Sequence, residues 1–405
     1  MTDLGVYLRA AWAVRTGQNI YAMTDDNGWH YHYPPLFAIL LAPLADPPPN
    51  AERTGTIPFA VTVALWYTLS VLAVFWGTHK LGTALEQTSP DTLMRAPPRG
   101  CRQWWLLRVL PVLVCLPSIG RTLARGQVDL LLLALLCGMI GAALRGHPWQ
   151  AGLWLAGAIS LKIFPAFMLS YPLLRRDIRW LAGCALGLFL GLGLIPAVVF
   201  GPSGAWAYQR EWTQVALKPA FIEGADPSRA KERFEMTNRH DQSLQAVLHN
   251  TLHPRVPRPP YPSPVTRWIH WLVGGLLIVL TFLAAGRPAG QIGTLLCFGA
   301  LMVVMVLINP FSHIHYFCLS LPLVTGLVAA NWELRGAPNL GTRMKLLLWA
   351  YVLASTLPSI PGLELLRDLG LAMYASLSLW LAGILVLWRV SHSQAVDRPL
   401  RSSQR

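Results

Sequence analysis

The stretch that decides the fold is GTLLCFGALMVVMVLINPFSHIHYFCLSLPLVTGLVAAN, residues 293–331. It contains two apolar runs, 293–309 and 314–331, and no Asp, Glu, Lys or Arg. A helix needs about 20 apolar residues to cross a bilayer, and fewer where it is partly buried in protein. Two such runs joined by a short polar turn read as neighbouring membrane spans. Outward from this pair, similar runs recur at 34–46, 56–78, 106–118, 127–145, 149–174, 179–200, 268–285, 346–358 and 371–388, giving eleven candidate spans. Three are short enough to be re-entrant instead.

Composition agrees. The 405 residues are 54% hydrophobic and 13% charged, whereas soluble domains carry roughly 25% charged residues. The expected fold class is all-α integral membrane: one polytopic domain over residues 1–390 and a basic tail over 391–405. The six cysteines form no CxxC or Cys/His ligand pattern and read as small hydrophobes. The formal charge of +14 sits in short clusters beside the spans. There it orients helices and meets anionic headgroups of membrane lipids, so nucleic acid is not an expected partner. No signal peptide and no internal repeat is visible.

Lys and Arg near span ends set the expected orientation. Arg175, Arg176 and Arg179 mark one cytoplasmic turn, Arg335, Arg343 and Lys345 another, and Arg389, Arg398, Arg401 and Arg405 a third. That places residues 1–33, about 201–267, 309–315 and 358–366 on the outer face. Residues 79–105, with Lys80, Arg95, Arg99 and Arg102, disagree: either one short span there is misread or the charge bias is overridden.

Polar residues in this setting need a reason. In DLGVYLRAAWAVRTGQNIY, residues 3–21, Leu4, Tyr7, Leu8, Ala11 and Val14 recur at helical spacing, as in an amphipathic helix lying on a membrane surface. Asp3 opens it, either as a capping residue or as a chemical group. Asp25 and Asp26 read as a solvated turn. His30 and His32 alternate in HYHYPPLF, too few for a metal site without a third ligand. Arg121, Arg125, Gln127 and Asp129 open the run at 127–145. Lys162 stands within a long apolar stretch in LKIFP, where a charge marks a functional site or a buried partner. Asn238, Arg239, His240, Asp241, Gln242 and Ser243 precede an amphipathic helix that Asp241 or Ser243 could cap. Asn309, Ser312, His313, His315 and Tyr316 form the turn between the opening pair of spans. Asp3, the HDQSL stretch and the SHIHY turn all fall on the same expected face.

These motifs, in order DLGVY with a following G-x-x-x-Y, YPPLFAILLAPLA, GQVDLLLLALL, LKIFPAFML, HDQSL and NPFSHIHY, resemble glycosyltransferase family 87 over nearly the whole chain. That family includes polyprenol-phosphate-mannose-dependent α-1,2-mannosyltransferases. The resemblance implies a GT-C-like bundle in the bacterial plasma membrane. There it would transfer a hexose, mannose first, from a polyprenyl-phosphate sugar donor to a lipid or glycan acceptor. Transfer would be extracytoplasmic and would invert the anomeric centre. It also implies a span upstream of Asp3 that the present sequence lacks, hence the expectation that the chain starts too late.

By motif, the family's essential aspartate matches Asp3 and its late histidine matches His315. Its N/D-Q-S-L motif matches Asp241, Gln242, Ser243 and Leu244, with Asp in place of the more usual Asn, and its K-x-x-P lysine matches Lys162. The chemistry needs a general base for the acceptor hydroxyl, for which Asp3 is the candidate. It also needs cations or donors for the departing phosphate, for which His315, Lys162, Arg239 and Arg125 are candidates. Gln127 lies beside them, and Gln242 and Ser243 would read sugar hydroxyls. A lipid phosphate is already a leaving group, so no metal cofactor is expected. The rival reading is a transporter or flippase of lipid-linked sugars; such proteins often carry a repeat between halves.

Overall fold

The computed structural model describes residues 2–53, 55–88, 99–218, 232, 241–253, 258–286 and 290–396. Its regular elements are helices; among the described residues there are isolated β-bridges but no strand. Six helices there are long and apolar enough to cross a membrane: Phe59–Gln87, Ile178–Leu217, Pro264–Ala285, Gly290–Ile308, Ile314–Arg335 and Leu371–Ser391. A seventh candidate is the pair Arg102–Val114 and Leu116–Arg125, bent by 61° at its break. The all-helical membrane fold is therefore as expected.

The remaining expected runs are shorter or broken, and prolines explain the breaks. Pro35–Leu44 and Asp129–Leu144 are apolar but short, and the run at 346–358 is a fifteen-residue helix, Thr342–Thr356. The run at 149–174 divides into Pro148–Leu161, a 3₁₀ turn at Phe164–Leu169 and a short helix at Ser170–Arg175. A proline ring collides with the carbonyl four residues back. Pro165 thus ends the first piece at Leu161, and Pro117 likewise breaks the bent pair after Leu113. Ile178–Leu217 has the opposite problem, since its 40 residues would stretch to about 60 Å, twice a bilayer's hydrocarbon thickness. It bends at Gly201, whose φ of 75° suits glycine.

The described chain falls into two compact units. The first comprises Met1–Phe75, Arg121–Met139 and Pro148–Glu235. Its core is the Thr2–Thr16 helix, where Leu4, Tyr7, Leu8, Ala10, Ala11 and Ala13 are all buried. This corrects the expectation of a surface-lying amphipathic helix. The alanines let neighbouring backbone come close, and the one strongly polar residue facing inward, Arg9, is met by Asp26 at 2.9 Å and Asp46 at 2.8 Å. Asp25 does not form a solvated turn but a buried one, its carboxylate accepting from the backbone N–H of Asn27 and Trp29. Elsewhere in this unit Pro148–Leu161 and Ile178–Leu188 cross where Gly152 meets the backbone of Trp180 and Gly183 meets that of Trp149.

The second unit comprises Trp76–Gly120, Ile140–His147 and Met236–Arg405. Its centre is the opening pair of spans, Gly290–Ile308 and Ile314–Arg335, which are buried almost all round, with Pro264–Ala285 and Leu371–Ser391 more exposed on their flanks. In the region of disputed orientation, Arg108 holds Glu86 with two hydrogen bonds of 2.7 and 2.9 Å and lies 4.1 Å above the Trp104 ring. That pair ties the Phe59–Gln87 helix to Arg102–Val114, and the run expected at 106–118 is divided between the two halves of the bent pair.

Candidate active site

In the first unit the Thr2–Thr16 helix presents Asp3 in its first turn, where a carboxylate suits the positive end of the helix. Asp3 Oδ2 accepts from Arg125 Nε at 2.8 Å, and both side chains stay partly exposed, at 21% and 37%. The approach is made possible by Gly126. Its φ is +72°, and a Cβ there would stand 2.8 Å from Leu4 Cβ. The next residue, Gln127, takes its Oε1 to 2.8 Å from the Tyr7 hydroxyl and 3.3 Å from that of Tyr33. One short loop thus lays Arg125, Gly126 and Gln127 along the first turns of a single helix.

Lys162 lies just past the end of Pro148–Leu161, not in the middle of a span. Its Nζ donates to Asp129 Oδ1 at 2.8 Å, with Asp129 fully buried and Lys162 9% exposed. Each charge sits at the helix end that favours it, Lys162 at a C-terminus and Asp129 at an N-terminus. The Tyr33 ring is 5.5 Å from the ammonium. Asp129 opens the run at 127–145 in sequence, but nothing in sequence pairs it with a lysine 33 residues on.

His30 and His32 hold a carboxylate. His30 Nδ1 is 2.6 Å from Glu232 Oε1, and His32 Nε2 is 3.0 Å from Glu232 Oε2. Burial works to raise the Glu232 carboxyl, but the hydrogen bonds from His32 and His30 outweigh it and bring it down to about 2. No sequence pattern singles out Glu232. Among the described residues no group of three His, Cys, Asp or Glu is arranged to hold a metal ion.

In the second unit the HDQSL stretch and the SHIHY turn are fastened to each other. Ser243 caps the Leu244–Leu252 helix by accepting from Ala246 N–H, and its hydroxyl donates to Pro310 O. Asp241 Oδ1 accepts from the backbone N–H of Ser243 at 2.9 Å and of Ser312 at 3.0 Å. Asp241 also forms an isolated bridge with His313, and Gln242 N–H donates to Ser312 O at 2.6 Å. Gln242 Nε2 donates to Arg367 O. The groups expected to read sugar hydroxyls are thus engaged with backbone. Burial pushes the Asp241 carboxyl up to about 7, with the N–H groups of Ser243 and Ser312 pulling the other way. His313 and His315 are buried with their rings stacked at 5.4 Å, and Tyr316 stacks on His315 at 4.6 Å. Arg239, with Asn238 and His240, lies outside the described residues.

Residues 31–256 match the model of glycosyltransferase family 87. That stretch holds Arg125, Gln127, Lys162 and Asp241 to Ser243; Asp3 and His315 lie outside it. The chain is 26% identical over 355 residues to a polyprenol-phosphate-mannose-dependent alpha-(1-2)-phosphatidylinositol mannoside mannosyltransferase of Mycobacterium tuberculosis, covering 82% of this chain and 71% of that one. It is 31% identical over 223 residues to a protein of the same description from Mycolicibacterium smegmatis, covering 52% and 46%. Among solved structures, ArnT from Cupriavidus metallidurans bound to undecaprenyl phosphate aligns with 98% of this chain and 74% of its own, at 14% identity and a TM-score of 0.39.

Proposed function

The chain belongs to glycosyltransferase family 87, and from that premise we propose a specific reaction for this multi-pass membrane glycosyltransferase. It takes a hexose, mannose before any other, from a polyprenyl-phosphate carrier and passes it to a lipid or glycan acceptor on the outer face of the bacterial plasma membrane, with inversion. The donor is supported by the relatives, whose descriptions name polyprenol-phosphate-mannose. The outer face is supported by the clusters at Arg175 to Arg179 and Arg335 to Lys345, which mark opposite, cytoplasmic ends.

The observation that carries the reading is the Asp3–Arg125 pair: a carboxylate fixed in direction by a guanidinium and still open enough for an acceptor hydroxyl to reach. Asp3 takes the acceptor proton as the acceptor oxygen bonds to the anomeric carbon. The bond from that carbon to the phosphate oxygen breaks on the opposite side, and its electron pair leaves on the polyprenyl phosphate. His315 donates to the phosphate as its charge develops. Lys162 and Gln127 act as framework in this assignment, since Asp129 and the two tyrosine hydroxyls engage them. The leaving group is a phosphate already, so the reaction proceeds without a metal.

The test is transfer of radiolabelled mannose from a synthetic polyprenyl-phosphate mannose to endogenous acceptor in membranes carrying the chain. Asp3→Asn should lose about 10²- to 10⁴-fold in rate with expression intact. The anomeric configuration of the product checks the inversion. Unchanged transfer by Asp3→Asn removes Asp3 from the role, and absence of transfer by the folded wild type with several donor sugars removes the reading.

A further inference from the structure

Arg367 has no place in the roles assigned so far. It sits in the short helix Glu364–Asp368 of the second unit, and its side chain is only 16% exposed. Its Nε is buried with no hydrogen-bond partner among the described residues, and a carboxylate oxygen of Asp368 is 3.9 Å away. That separation allows some Coulombic attraction but is beyond hydrogen-bonding reach. A buried guanidinium N–H without an acceptor is costly, and more so than a neutral one.

Its position is tightly determined. Gln242 Nε2 donates to Arg367 O at 2.8 Å, and the backbone N–H of that same glutamine donates to Ser312 O at 2.6 Å. Just beyond the helix, Gly370, at φ +80°, lies so close to Val247 that no Cβ fits between them. Arg367 is therefore tied through one residue to the turn that bears His313 and His315. A cation whose backbone is fastened to that turn, and whose Nε–H lacks an acceptor, matches the non-bridging oxygens of a phosphate, which accept from a guanidinium in pairs.

We propose that Arg367 is a phosphate-binding residue of this enzyme, receiving the phosphate of the polyprenyl carrier and retaining it as the polyprenyl phosphate product. This depends on the carrier-dependent reaction proposed above. Gln242 then serves as a positioning residue, acting on the phosphate through the Arg367 backbone.

The experiment measures binding of undecaprenyl phosphate to the purified full chain in detergent, with phosphatidylglycerol as the competing anionic lipid, alongside mannosyl transfer. Arg367→Gln should weaken undecaprenyl phosphate binding by about 10- to 100-fold while phosphatidylglycerol binding stays within about twofold. Arg343→Gln, at an exposed arginine, should change neither. Should Arg367→Gln not fold, Arg367→Lys, which keeps the charge and loses the fork, is expected to weaken binding by several-fold. Unchanged undecaprenyl phosphate affinity in whichever variant folds overturns the inference, as does a loss confined to phosphatidylglycerol. If the wild type neither binds the carrier phosphate nor transfers mannose, the proposed reaction fails first, and that result is distinct from a variant that behaves like an active wild type.

Discussion

Replacing Lys162 by Met should destabilise the protein more than any exposed substitution, because it strands Asp129. That carboxylate is fully buried and Lys162 is 9% exposed, so water screens neither charge appreciably. Removing one partner of such a pair typically costs about 3–5 kcal/mol, whereas replacing both with apolar residues of similar size is often close to neutral. The assay is a double-mutant cycle on unfolding in mixed micelles, with Lys162→Met, Asp129→Leu and the two combined. Each single variant should lose several kcal/mol, and the double variant should recover most of it. A loss below about 1 kcal/mol for Lys162→Met, or a double variant as unstable as the sum of the singles, would refute the reasoning. Mannosyl transfer by the double variant adds a second decision. Recovered transfer fixes Lys162 as framework, while a folded, inactive double variant would return it to the substrate.

Three other outcomes follow from the same geometry. Gly126→Ala should cost at least about 1–2 kcal/mol, since alanine is strained at φ +72° and its Cβ meets Leu4; transfer should fall with it as Asp3 and Arg125 are pushed apart, read in the same assay. Asp241 binds its proton more tightly folded than unfolded, because burial raises its carboxyl from 3.8 to about 7. Stability should therefore fall as pH rises from about 4 to about 7 and level off above, and Asp241→Asn should flatten that slope in unfolding curves taken across the range. Chelation should leave mannosyl transfer unchanged, a comparison of rates in EDTA against added divalent ions.

The spans were legible because an uninterrupted apolar run is a solvent preference, and each residue reports it independently. Their interruptions were not. Pro117 and Pro165 stand in runs whose hydropathy continues across them, and only the backbone shows that the helix stops. The chemistry-bearing residues divide in the same way. Asp3 and Arg125 could each be singled out by type and place, yet their contact depends on Gly126 permitting a close approach that composition does not record. Lys162 announced a buried partner without naming it. Asp241, Gln242 and Ser243 were legible as a motif, but their hydrogen bonds to the backbone of the next loop were not, because a motif does not say which groups its donors and acceptors face. Glu232 and Arg367 carried no signal, since each gains its meaning from groups distant in the chain.

The crossing at Gly152 and Gly183 has a consequence for what this sequence can tolerate. At most close helix contacts a larger residue on one side can be offset by a smaller one opposite. Here each glycine abuts main chain, at Trp180 and at Trp149, and main chain cannot be made smaller. No second-site change relieves a side chain at either position, so the two should behave as one fixed point through drift or engineering, while the apolar residues around them exchange freely.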